Sequence, residues 1–195
     1  RVPLSKKIKA EKLIPIDIFD KFKSKGSYFL ESAEVDMKWG RYSIIGLPSE
    51  SSIKVKNSEI FLNLNGIEEK ISSSDPLKFI ENYLEENFYP DTGDLPIFSG
   101  GLVGFFGYES IRLIETKLQN TSKNEAHEIE DIYLLISDKV MIFDNLEKTL
   151  EVVFYSNPNI KNSFSETFSE IDKLIERLES QDDSKNEEVK FKNEI

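Results

Sequence analysis

Cysteine is absent from the 195 residues, which excludes disulfides, thiolate metal sites and cysteine nucleophiles. The absence is compatible with a reducing compartment, and a cytoplasmic location is expected. Histidine occurs once, at His127, so a His-assisted nucleophile or a structural zinc site would have to be built on that residue. Cations are scarce relative to anions: 25 Lys and Arg stand against 36 Asp and Glu, a formal net charge of −11. That balance argues against nucleic acid, whose phosphates need clustered cations, and against anionic membrane surfaces. No apolar run is long enough to span a bilayer, and no charged-then-apolar leader opens the sequence. The chain begins at Arg1 and not at Met, as expected of a segment trimmed from something longer.

What remains is a composition of 38% hydrophobic and 31% charged residues, which fits a globular chain with a well-charged surface. The length suffices for one domain with a proper core, or two small ones. Val2 to Lys9 alternates loosely, as an edge strand does. Pro15 opens a short helix carrying Ile18, Phe19 and Phe22, stopped by Gly26. Two apolar runs, 28–30 and 42–46, flank a polar connection and predict a hairpin. Strands over 53–56, 60–64 and 67–71 turn at Asn57-Ser58 and Asn65-Gly66, both tolerant of positive φ.

Asp75-Pro76 starts a helix with Leu77, Ile80, Leu84 and Phe88 on one face, and Pro90 ends it. A loop is expected over 92–96, then a glycine-rich strand at 98–108 leading into a helix with Ile111, Arg112 and Glu115. The span 116–131 reads as an acidic surface loop. The β-prone run 132–143 breaks at Ser137-Asp138, and Asp144-Asn145 turns it into a strand over 150–155. Ile160, Phe164, Phe168, Ile171, Leu174, Ile175 and Leu178 mark an amphipathic helix. Residues 181–195 read as a polar linker. Strands joined by hairpins, with isolated helices between, predict an α+β domain over 1–180 with antiparallel sheets and packed helices.

The hairpin carries the most suggestive chemistry. Leu30, Glu31 and Ser32 close its first strand and Arg41 opens its second. A turn centred near Asp36 would set Glu31 opposite Arg41. A carboxylate for an ammonium, a guanidinium for a carboxylate, and apolar neighbours for a side chain could hold a zwitterionic amino acid. The plainer reading is a cross-strand ion pair on a sheet surface.

Other motifs read as structural. Gly101, Gly104 and Gly107 lack the spacing of a dinucleotide fingerprint, and Tyr108-Glu109 stand where a phosphate loop needs Lys and Ser or Thr. These glycines instead let a buried strand pass close to a neighbouring backbone. His127, among Glu125, Glu128 and Glu130, lacks the companions a metal site needs and reads as part of a solvated loop. No pair of carboxylates marks an acid–base dyad, Trp39 reads as core cover, and Arg112 with Glu115 as a helix-surface pair.

Phe29-Leu30-Glu31-Ser32 followed by Trp39-Gly40-Arg41-Tyr42-Ser43-Ile44-Ile45-Gly46 resembles the N-terminal part of anthranilate synthase component I. The run from Phe98 to Glu115 is similar to the glycine-rich segment of the same family, where it belongs to the framework. The resemblance implies a single regulatory and scaffolding domain within a larger two-part enzyme. That enzyme converts chorismate and glutamine-derived ammonia to anthranilate and pyruvate. It implies a C-terminal chorismate-binding catalytic domain as partner, Mg²⁺ held there and no cofactor or catalytic residue in this chain. It further implies a glutamine amidotransferase subunit and L-tryptophan as feedback effector. Leu30, Glu31 and Ser32 match the segment that helps form the tryptophan pocket, and Arg41 sits where some relatives carry a basic residue. Asn157-Pro158 is not equated with the pocket's Asn-Pro segment, which lies in the catalytic half. Alternatives are the N-terminal domain of aminodeoxychorismate synthase component I, a stand-alone amino-acid-binding module, and a structural domain without ligand.

Overall fold

The computed structural model describes residues 1–31, 40–88, 95, 98–118 and 129–180. Ser32, Trp39, Pro90, His127 and the expected linker at 181–195 lie outside the described residues.

Among the described residues, ten strands and three α-helices follow in chain order: β1 (Val2–Lys9), α1 (Pro15–Phe22), β2 (Tyr28–Glu31), β3 (Tyr42–Gly46), β4 (Ser52–Lys56), β5 (Glu59–Leu64), β6 (Ile67–Ile71), α2 (Pro76–Asn87), β7 (Gly101–Phe106), β8 (Ile132–Ser137), β9 (Lys139–Asp144), β10 (Thr149–Ser156) and α3 (Ser163–Glu179). They form two five-stranded antiparallel sheets, ordered β1-β10-β9-β3-β2 and β6-β5-β4-β8-β7. The architecture is α+β, as the hairpin pattern predicts. No helix among the described residues is long and apolar enough to cross a membrane.

Local chemistry explains the elements. Asn57, Ser58, Asn65 and Gly66 all take positive φ, so two tight turns fold β4, β5 and β6 into a meander. Asp75 caps α2 by accepting the amide of Lys78 at 3.0 Å, with Pro76 in the first turn. The soft break at Ser137-Asp138 is where the chain leaves one sheet for the other: β8 pairs with β4 and β7, whereas β9 pairs with β3 and β10.

Two cores result. Val140, Ile142, Val153 and Tyr155 of the first sheet pack against Ile53, Val55, Ile132, Leu134 and Ile136 of the second, with Ile80, Tyr83 and Phe88 completing this core. On the opposite face of the first sheet, Ile45, Met141, Phe143, Leu150 and Val152 meet Ile18 of α1 and Ile171, Leu174 and Leu178 of α3. The first sheet is therefore covered on both faces, and its inner strands β9 and β10 are buried along nearly their whole length.

Three expectations need correction. In α2 it is Tyr83, not Leu84, that turns into the core: Tyr83 is 8% exposed and Leu84 41%. The glycine-rich strand β7 is a half-exposed sheet edge and not a buried strand, although Gly104 does meet another backbone. The segment after it is a 3-10 helix, Tyr108–Leu113, in which Arg112 pairs with Glu109 and not with Glu115.

Candidate functional site

The candidate site is the edge of the first sheet at β2 and β3. Tyr28 pairs with Gly46, Phe29 with Ile45, Leu30 with Ile44 and Glu31 with Ser43. Glu31 therefore does not face Arg41, as a turn centred near Asp36 would require; the strands are slid by two residues. Gly46 explains this register. The ring of Tyr28 lies over it, and a Cβ there would stand 1.9 Å from Tyr28 Cε1. No other residue of β3 offers that space.

Strand alternation sorts the site into two faces. Phe29, Glu31, Ser43 and Ile45 lie on the side covered by α1 and α3, where Phe29 stacks on Phe19 with ring centres 5.6 Å apart. Leu30, Tyr42, Ile44 and Asp144 lie on the other side.

A short polar relay fixes Glu31. The Asn145 side-chain amide donates to Ser43 Oγ at 2.9 Å, and Ser43 Oγ donates to Glu31 Oε1 at 2.8 Å. Ser43 is wholly buried, whereas Glu31 is exposed. A buried donor chain thus aims an exposed carboxylate at the sheet rim, while Leu30, 45% exposed, projects from the opposite face. Such a carboxylate can accept from an ammonium with little loss of side-chain freedom, because its rotamer is already held.

Arg41 is committed elsewhere. Its Nε donates to both Asp144 oxygens, at 3.1 and 2.9 Å, and its Nη2 donates to Asp144 Oδ2 at 2.6 Å. Asp144 also accepts the amides of Leu146 and Glu147, at 3.0 and 3.1 Å, closing the turn into β10. Burial opposes the Asp144 charge, yet the bonds from Arg41 and from those amides outweigh it and hold the carboxyl below its ordinary value. The partner lies 103 positions along the chain, so no local pattern in the hairpin could have found it.

Two clefts among the described residues lie away from Leu30, Glu31 and Arg41. A cleft of about 490 Å³ lies between the start of α2 and the 3-10 helix, lined by Asp75, Glu109 and Arg112. Another of about 350 Å³ lies between residues 8–13 and Leu178. Neither includes the hairpin residues. Among the described residues, no three His, Asp or Glu side chains gather in a way that could hold a metal ion.

An α+β domain of two packed antiparallel sheets, with a polar rim open at one hairpin, matches part of a larger enzyme in the comparisons. The chain is 36% identical over 180 residues to anthranilate synthase component 1 of Pseudomonas aeruginosa, covering 91% of this chain and 37% of that protein. It is 34% identical over 180 residues to the Pseudomonas putida enzyme and 32% over 182 to that of Acinetobacter calcoaceticus, each covering 91% of this chain and 36% of the relative. No protein-family model matches. In structure, the crystal structure of anthranilate synthase component I from Streptococcus pneumoniae aligns with a TM-score of 0.57 at 24% identity. It covers 88% of this chain and 36% of that one, a likeness of fold. The chain matches the N-terminal region of anthranilate synthase component I. It spans a little over a third of the length of these curated relatives.

Proposed function

We propose that this chain is the regulatory and scaffolding region of an anthranilate synthase component I, without turnover of its own, and that β2 contributes part of a tryptophan feedback site. The similarity to anthranilate synthase component 1 across 91% of the chain carries the reading. In it, residues 1–180 form the domain and 181–195 a polar connection toward a chorismate-binding catalytic part. The whole enzyme works in the cytoplasm, taking ammonia from a glutamine amidotransferase subunit and producing anthranilate and pyruvate from chorismate. The catalytic part supplies the Mg²⁺ site, and the residues of this chain supply none of its ligands.

At the rim, Glu31 accepts the ammonium of tryptophan, held ready by Ser43 and Asn145. Leu30 projects from the opposite face of β2 and bounds the rim from its other side, and Ser32 is assigned to the site by its place in the segment that resembles the family's pocket. Arg41 acts indirectly, fixing the turn after β9 through Asp144 and so keeping Asn145 against Ser43. The catalytic part closes the pocket over the indole. Feedback then follows from differential binding: tryptophan favours one arrangement of the two parts and chorismate another, so each weakens the other.

A turnover assay with chorismate, ammonium and Mg²⁺ tests the division of labour. The chain alone is expected to give no anthranilate fluorescence. Growth of that fluorescence with the purified chain overturns the assignment.

A further inference from the structure

Resting on the reading above, we infer that the β7 edge of the second sheet, with the 3-10 helix after it, is the docking face for the part of anthranilate synthase component I that this chain does not match. The inner face of this sheet is filled by the core, and its outer face presents Lys54, Tyr133 and Leu135. That outer face is graded. Next to β7 it is apolar: Val103 stands beside Leu135, and Phe105 stacks on Tyr133 with ring centres 6.2 Å apart. Toward β6 it becomes charged, with Lys54 paired to Glu68 at 2.8 Å and Lys70 to Glu59 at 2.6 Å.

The two edges of the sheet differ in the same way. β6 reads Ile-Glu-Glu-Lys-Ile, the charged kind of edge that discourages pairing. β7 reads Gly-Leu-Val-Gly-Phe-Phe, with no charge along it and no strand beyond it among the described residues. Phe105 is 43% exposed and Phe106 is 56% exposed, while Tyr108 just past the strand is 91% exposed. Ile111 on the 3-10 helix and Ile114 just past it are exposed as well. Phe105 projects with Tyr133 on the outer face and Phe106 on the side of Ile132, so this uncharged edge strand presents an exposed aromatic ring on each side, as suits a partner that wraps the edge.

Two observations choose the occupant. The relatives devote well over half of their length to polypeptide this chain does not match, so a covalently linked partner of domain size exists in them. A second copy of this chain is disfavoured by charge, since each copy carries a net −11 and pairing sets like against like.

The test co-expresses this 195-residue chain with the unmatched portion of the Pseudomonas aeruginosa relative and isolates the complex through a tag on this chain. Phe106→Asp and Ile114→Asp alter exposed side chains, so circular dichroism should match the parent chain. Each is expected to weaken the complex about tenfold or more. Ile67→Asp, on the opposite edge of the same sheet, is expected to leave it intact. A complex that forms and ignores both β7-side substitutions, or that responds equally to Ile67→Asp, overturns this face and leaves the family reading standing. Absence of any complex with the parent chain counts against both. A dimer of this chain alone that dissociates on Phe106→Asp overturns the choice of occupant.

Discussion

The hydroxyl of Tyr28 lies 2.7 Å from Oγ of Ser137, joining the edge strand of the first sheet to the last residue of β8 in the second. Tyr28 is two residues from Leu30, so the rim that carries Glu31 is tied across the sandwich to the point where the chain changes sheets. Burial pushes the Tyr28 phenol up to about 12, against an opposing pull from the bond with Ser137. The folded state therefore holds this proton more tightly than the unfolded chain, whose tyrosines titrate near 10. The stability this adds is fully present below about pH 10 and is lost as pH rises toward about 12, at up to about 1.4 kcal/mol per pH unit. Tyr28→Phe should cost about 1 kcal/mol at pH 7, measured by urea denaturation, and should flatten this alkaline decline.

Gly104 admits no side chain. A Cβ there would stand 1.9 Å from the carbonyl oxygen of Tyr133 and 2.9 Å from its carbonyl carbon, both backbone atoms of the adjacent strand. Gly104→Ala should separate β7 from β8 and cost about 3 kcal/mol, read as a lower denaturation midpoint with early loss of protection in the amides of β7.

The Arg41–Asp144 pair sets an acid limit. Asp144 has a depressed carboxyl value, so its contribution is present above the ordinary carboxylate range and fades as pH falls through and below that range. Arg41→Ala should lower the denaturation midpoint at pH 7 and flatten the acid limb of the stability profile. A variant with an unchanged acid limb would remove Arg41 as the cause.

Much of the fold is legible along the chain because its signals are local. Asn57-Ser58 and Asn65-Gly66 specify their turns through the φ values they accept, and Asp75-Pro76 specifies a helix start through one hydrogen bond and a missing amide. The Ser137-Asp138 break is visible too, although nothing nearby says that it separates two sheets. The hairpin register is the opposite case. It is pinned by Tyr28 over Gly46, a packing fit between residues 18 positions apart, and so a midpoint guessed from the connecting segment misses by one residue. Arg41 was legible as a functional cation only in isolation, since its partner Asp144 belongs to a distant strand. The Ser43–Asn145 relay behind Glu31 was hidden for the same reason.

Glu31 sits at an exposed rim and is not part of the core. Glu31→Gln keeps an oxygen for Ser43 and should leave folding stability within about 0.5 kcal/mol of the parent. In the assembled enzyme it should lower tryptophan affinity about tenfold or more, because a charged acceptor is replaced by a neutral one. Denaturation and calorimetry on the same preparation separate the two effects.

The most direct test is a calorimetric titration of L-tryptophan into this chain alone and into its complex with the complementary part of the enzyme. An open rim that needs a second part to enclose the amino acid predicts weak or silent heats from the chain alone. It predicts stoichiometric binding to the complex, diminished by Glu31→Gln. Tight, stoichiometric heat from the isolated chain, or none from the complex, would contradict the account.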